Sequence, residues 1–270
     1  MSLMPTAPRS IGGVLDDAIR LYRRSLLPCF PIVLITVVLT ALPSIWLALN
    51  IQPVASPNPK AVLAMFNSPA VWLAYLAIIL VMLVTYGALF YQVDAIAHGE
   101  RLSMGQAFGK GLKRTPTLLG VTILFGLMIV VGTMLLVIPG IYLWGVFQLA
   151  IVPATIERTG VFESFAVSRR LVKDNWWRTN VIILVAVIIL VVLMMVVGMI
   201  AGITAVASGG VTAGALSTGH IVIQQIISSI LSLFTVTFFP CILLAVYHDL
   251  KLRKDGSDLA DRVGGLKPTG

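Results

Sequence analysis

Residues 137–178 read VIPGIYLWGVFQLAIVPATIERTGVFESFAVSRRLVKDNWWR, and how this stretch meets a membrane decides the fold. Pro139-Gly140 ends one apolar run, because proline cannot continue a helix and glycine turns freely. Residues 141–156 form a second run, roughly 24 Å long as a helix at about 1.5 Å per residue. That is short of a hydrocarbon core about 30 Å thick. Length alone leaves its crossing open, so the charge on the flanking loops has to decide it.

The surrounding chain has 270 residues, 58% hydrophobic and only 11% charged. Soluble domains carry roughly 25% charged residues, so the composition predicts an integral membrane protein. Predominantly apolar runs long enough to cross are expected over about 26–49, 70–96, 117–138, 181–207 and 220–248. With 141–156 included there are six spans. The segments 1–25, 97–116, 157–178 and 249–270 then share one side. They hold four, four, five and five of the 19 Lys and Arg residues, leaving Lys60 alone opposite. Were 141–156 not to cross, the division would be eight against eleven. The positive-inside rule selects six crossings with both termini cytoplasmic. The net charge of +8 is thereby explained by topology, and no nucleic-acid partner is expected. The run after Arg24 is too long for a cleavable signal peptide and reads as the first span.

Three basic amphipathic helices are expected on the cytoplasmic surface. The first covers residues 10–25, with Ser10 as N-cap and Ile11, Val14, Leu15, Ala18 and Tyr22 on one face. The second opens at Ser103, with Met104, Ala107, Phe108, Gly111 and Leu112 apolar. The third opens at Thr159 or Gly160 and places Val161, Phe162, Phe165, Ala166 and Val172 together. Its Glu163 comes early and Arg169, Arg170 and Lys173 come late, which suits the helix dipole. Trp176, Trp177 and Arg178 have the composition of an interfacial anchor. The fold expected is an all-α integral membrane protein of six transmembrane helices, with these three interfacial helices. Residues 1–25 form a cytoplasmic helix, 26–248 the membrane domain and 249–270 a charged tail that frays. A short helix at 61–66 and an uncharged outer loop before 219 complete the reading.

Sites are sparse. Nine cations are candidate contacts for anionic lipid: Arg20, Arg23, Arg24, Lys110, Lys113, Arg114, Arg169, Arg170 and Lys173. Each near an anionic surface contributes about 1 kcal/mol, and orientation of the chain is their simpler role. Gln225, Ser228, Ser229, Ser232 and Thr235 share an arc of the sixth span. They form a candidate bundle-facing polar stripe that hydrogen-bonds neighbouring helices or lines a polar cavity. Gly198 and Gly202 make a GxxxG on the fifth span, the pattern of close helix packing. Asp94, Glu157 and Asp249 end spans beside basic residues such as Arg101, Arg158 and Arg253, and read as paired acids. Cys29 and Cys241 read as inert packing residues. His98, His220 and His248 are scattered without metal spacing, and no catalytic motif is present. No catalytic residue, cofactor or metal is expected.

The run from Pro139 resembles the membrane domain associated with some bacterial glycerophosphoryl diester phosphodiesterases and the YciC-like uncharacterised membrane proteins. The likeness rests on Pro139-Gly140-Ile141-Tyr142, Pro153, Glu157, Gly160, Ser168, Leu171, Lys173 and Trp177-Arg178. The opening VLDDAIRLYRRSL and the closing YHDLKLRKDGSDL are similar to the same family's ends. The resemblance implies a bacterial inner-membrane setting with a link to lipid metabolism. In that family phosphodiesterase activity belongs to a separate soluble barrel, which this chain has no room for. The function expected is a non-enzymatic auxiliary or scaffold that contacts the bilayer, anionic phospholipid or a lipid-metabolism partner, alone or as a homo-oligomer. The rivals are a small-solute or lipid transporter, which needs an accessible cavity reaching the polar stripe, and a membrane-embedded hydrolase or transferase. The latter needs acids and histidines to converge at the cytoplasmic face.

Overall fold

A computed structural model describes residues 4–50, 67–207 and 218–265. The elements are α1 (Ile11–Asn50), α2 (Pro69–Ala97), α3 (Met104–Leu135), α4 (Val137–Phe147), α5 (Ile151–Thr155), α6 (Val161–Val172), a 3₁₀ turn (Lys173–Asn175), α7 (Trp176–Ala207) and α8 (Thr218–Gly265). No strand occurs among the described residues. Helix is what an apolar chain must adopt in lipid, where each backbone N–H and C=O needs a partner within its own segment. Five helical stretches are long and apolar enough to cross a membrane. Their outer faces are apolar, as at Leu127, Met134 and Met195, which lie open at the bundle surface. The expected helix at 61–66 and the uncharged loop over 208–217 fall outside the described residues.

The first two basic segments are not separate helices. Residues 11–25 continue into the first span as one 40-residue helix that contains Pro28, Pro31 and Pro43. Likewise α3 runs from Met104 through Pro116 without a break. Both start as the sequence predicts. Ser10 Oγ accepts from Gly13 N at 3.2 Å, and Ser103 and Gln106 form a reciprocal capping box. Only the third, α6, stands as its own helix. The tail expected to fray from Asp249 is helical as far as it is described: α8 continues to Gly265, and Asp249, Lys251 and Lys254 at its start find partners on other elements.

The reversal expected at Pro139-Gly140 occurs earlier. Leu136 alone is extended (φ −165°, ψ 147°), and α4 begins at the next residue. Pro139 lies in the first turn of α4, where a missing N–H costs nothing. Gly140 allows the close approach: a Cβ there would meet Thr133 Cγ2 at 2.3 Å, and one on Gly132 would lie 3.1 Å from Gly140 Cα. The returning segment is not one helix. Phe147 ends α4 and Ile151 starts α5, since Pro153 has no N–H to bond the carbonyl of Leu149. Together α4 and α5 lie along α3. Ala150 and Ala154 pack with Leu118 and Val121, and a Cβ on Gly120 would touch Val161 Cγ2 at 2.8 Å. The chain after Leu136 therefore comes back to the level where the apolar part of α3 starts.

Two backbones also approach closely where α2 meets α3. A Cβ on Gly111 would lie 2.6 Å from the Val84 carbonyl oxygen and 2.7 Å from Ala88 N. Gly198 and Gly202, the expected packing pair on α7, have nothing within 4 Å of such a Cβ. The core joins α1, α2, α7 and α8 through Leu21, Ile32, Phe90, Ile183 and Leu244. Both cysteines are free and fully buried in it.

Candidate functional site

The ends of the helices that carry the basic residues gather at one end of the bundle, and two clusters there are centred on aspartates. The first is a knot around Asp249 on α8, 2% exposed. Arg9 N donates to Asp249 Oδ1 at 2.8 Å. Arg178 Nη2 and Arg253 Nε donate to Oδ2 at 3.1 and 3.0 Å. Both guanidinium groups also donate to the Arg9 carbonyl, and the Arg9 side chain stands 3.6 Å from Asp17. Segments near the two ends of the chain and the first turn of α7 are thus held by one carboxylate. Arg253 is the partner expected from sequence, one helical turn away. Arg178, expected as an interfacial anchor, is part of the knot instead. Trp176 stacks on Tyr142 with ring centroids 5.9 Å apart, so of the three anchor residues only Trp177 lies fully open.

The second cluster surrounds Asp94 at the end of α2. The helix stops in a left-handed cap: Gly99 has φ 81°, Glu100 N donates to the Ala95 carbonyl at 2.7 Å, and Gly99 N donates to that of Ile96 at 3.0 Å. This fixes His98 one turn above Asp94. Its Nδ1 lies 2.9 Å from the Asp94 carbonyl oxygen and 3.5 Å from Asp94 Oδ1. Because a carbonyl only accepts, the neutral ring carries its proton on Nδ1 and keeps a lone pair on Nε2. From α8, His248 comes within 5.8 Å of His98, ring centre to ring centre. One ligand atom from each of Asp94, His98 and His248 lies within 4.8 Å of the others. Two of the three histidines, scattered in sequence, are therefore neighbours, and a metal-type donor set exists where none was expected.

A cavity of about 220 Å³ opens beside them, lined also by Glu157, Tyr247 and Lys251. Glu157 is bound to Lys251 Nζ at 2.5 Å. Burial pushes its carboxyl upward, but hydrogen bonds from Lys251 and Tyr247 outweigh this and hold it below the usual glutamate value of 4.5. Lys254 pairs with Asp174 on the 3₁₀ turn. The expected pairings of Asp94 with Arg101 and of Glu157 with Arg158 are replaced by His98 and Lys251. Arg158 itself occupies the turn before α6 with φ 57°.

The nine candidate lipid contacts are distributed differently. Arg20, Arg23, Arg24, Lys113, Arg169, Arg170 and Lys173 are exposed, while Lys110 and Arg114 are half-buried. Lys110 Nζ stands 5.5 Å from the centre of the Tyr91 ring. Among the described residues none of the nine enters an ion pair; the pairs between permanently charged groups use Arg9, Arg178, Lys251, Arg253 and Lys254.

The polar stripe on α8 faces the bundle only at one end. Thr235 is buried, Ser229 and Ser232 are half-buried and Ser228 is exposed; the side chain of Gln225 lies outside the described residues. Ser232 and Thr235 hydroxyls donate to their own helix, at the Ser229 and Leu231 carbonyls. Cross-helix polar contacts form elsewhere: Thr36 with Thr85 at 2.6 Å, the Tyr22 hydroxyl to the Phe234 carbonyl at 3.0 Å, and Gln148 Nε2 to Asn180 Oδ1 at 3.1 Å. The largest cavity described, about 460 Å³, lies deeper, between α2, α3, α4 and α8, and its lining is apolar apart from Thr122, Gln148 and the Tyr86 hydroxyl. It meets α8 at Phe239 and Leu243, below the stripe.

Residues 54–239 match the profile of an uncharacterised protein family, UPF0259. A UPF0259 membrane protein of Photorhabdus laumondii is 36% identical over 89 residues, covering 33% of this chain and 35% of that protein. The aligned part is thus about a third of the relative's length. No solved structure matches. The matches support the YciC-like side of the resemblance and give no support to the phosphodiesterase-associated membrane domain.

Proposed function

The chain belongs to the UPF0259 family of uncharacterised membrane proteins, and from that premise we propose a six-crossing auxiliary module of the bacterial inner membrane. Its basic end lies in the cytoplasm with both termini and docks on anionic phospholipid headgroups. The crossing count is supported by the return of α4 and α5 along α3, from Leu136 to Glu157 at the basic end. The observation that carries the lipid reading is the division of labour among the cations. One set is consumed in ion pairs that hold helices together, while seven of the nine candidates, all but the half-buried Lys110 and Arg114, stay exposed and outside those pairs. Freely presented lysines and arginines near an anionic leaflet attract it by about 1 kcal/mol each. A lipid-metabolism partner belongs to the same proposal on the strength of the motif resemblance.

Native mass spectrometry of the full chain, released from mixed phosphatidylcholine and phosphatidylglycerol, tests it. Phosphatidylglycerol should be retained preferentially by the native protein. Reversal of Arg20, Arg23, Arg169 and Arg170 to Glu should abolish that preference, and unchanged retention would overturn the proposal. A second reading, lipid transport, is favoured by the 460 Å³ cavity, whose size suits a small ligand or acyl segment. It predicts headgroup-independent retention of one lipid, lost on filling the cavity with Val121→Trp.

A further inference from the structure

We propose that Asp94, His98 and His248 form a binding site for one divalent transition-metal ion of the zinc class, a site that goes beyond the lipid-docking reading and does not rest on it. Two imidazoles and a carboxylate are a donor set that zinc-class ions accept, leaving a fourth position for water or another ligand. The three residues come from two helices whose relative placement is fixed. Asp94 lies in the last turn of α2 and His98 is its C-cap, one turn on, while His248 is on α8; His98 is exposed and the other two half-buried, and Val93 and Leu244 beside them are fully buried.

Three further observations point to an ion rather than to a packing contact. Asp94 Oδ1 is buried without a hydrogen-bond partner, an arrangement that costs free energy unless something binds it. His98 is oriented by its Nδ1 bond to the Asp94 carbonyl, the outer hydrogen bond that metal-bound histidines make to fix their tautomer. A cavity of about 220 Å³ stands beside the three donors and gives an ion access and room for a fourth ligand. The other charges on the cavity wall, Glu157 and Lys251, neutralise each other, so Asp94 remains to balance part of the charge of a dication. Ligands of a tetrahedral ion stand about 3.4 Å apart at bond lengths of about 2.0–2.1 Å. The three atoms lie within 4.8 Å of one another, so binding an ion requires the side chains to draw closer together.

The purified full chain, stripped with a chelator and dialysed, is titrated with Zn²⁺ and separately with Co²⁺. The expected result is one ion per chain, with visible ligand-field absorption for Co²⁺ and a raised unfolding temperature. Asp94→Asn, His98→Gln and His248→Gln should each weaken binding by more than about 100-fold, beyond what loss of an outer-shell partner typically costs. His220→Gln, which changes the remaining histidine, should bind as the native protein does. Gel filtration and circular dichroism of each metal-free variant establish that it is folded; a misfolded variant is replaced by His98→Asn or His248→Asn. Zinc stoichiometry well below one, or folded Asp94 and His248 variants that bind like the native protein, would overturn the site.

Discussion

Two aspartates at the same end of the bundle have opposite surroundings. Asp249 is 2% exposed and both of its oxygens accept hydrogen bonds, from a backbone N–H and two guanidinium groups. Asp94 is also withdrawn from solvent, yet its Oδ1 accepts none, and its near neighbours are imidazoles and a cavity. A carboxylate with both oxygens engaged fastens helices. One left open in a polar cavity has capacity for a ligand. The comparison separates structure from site without reference to any motif.

The strongest way to break the contrast is to remove each carboxylate. Asp249→Ala should cost about 3 kcal/mol, since Arg178 and Arg253 lose the charge that compensates them; unfolding in mild detergent measures it. Gly99→Ala should cost about 1–2 kcal/mol because a side chain is placed at φ 81°. It should also weaken Co²⁺ binding by displacing His98, so an unaltered titration would detach the helix cap from the site. In the metal-free protein, Asp94→Asn should change stability by under about 1 kcal/mol, as an oxygen without a partner gives up little. Equal losses at Asp94 and Asp249 would erase the distinction. The smallest effect is in the Glu157–Lys251 pair. Glu157 is held below its ordinary 4.5, so its stabilisation is fully present above that value and is lost as pH falls through the lower folded value. Unfolding temperature should therefore drop less between pH 6 and pH 3 in Glu157→Gln than in the native protein.

Much of the fold is legible because membrane spans are written locally. A predominantly apolar run predicted α2 as 70–96 against an observed Pro69–Ala97. The Leu136 reversal was not legible, since Pro139 is as acceptable inside a first helical turn as in a loop. Nor was the close packing of α2 on α3, because Gly87 and Gly111 are not four residues apart on one helix but face each other across two. The candidate site divides the same way. Asp94 with His98 and Asp249 with Arg253 are one turn apart and visible on a helical projection. His248 and Arg178 arrive from distant parts of the chain, and only the packing of α8 against α2 and α7 brings them in.

The backbone of Arg9 is gripped on both sides, its N–H by Asp249 and its carbonyl by Arg178 and Arg253. During synthesis α1 leaves the ribosome before α8. The seam between them, where Tyr22 meets Phe234 and Phe238, cannot close while α8 is unmade. Until then α1 must wait in the bilayer with its inner face covered by lipid or by an insertion factor. A nascent chain interrupted before Asp249 lacks the carboxylate that grips the Arg9 backbone, and its N-terminal segment has nothing to hold it against α8.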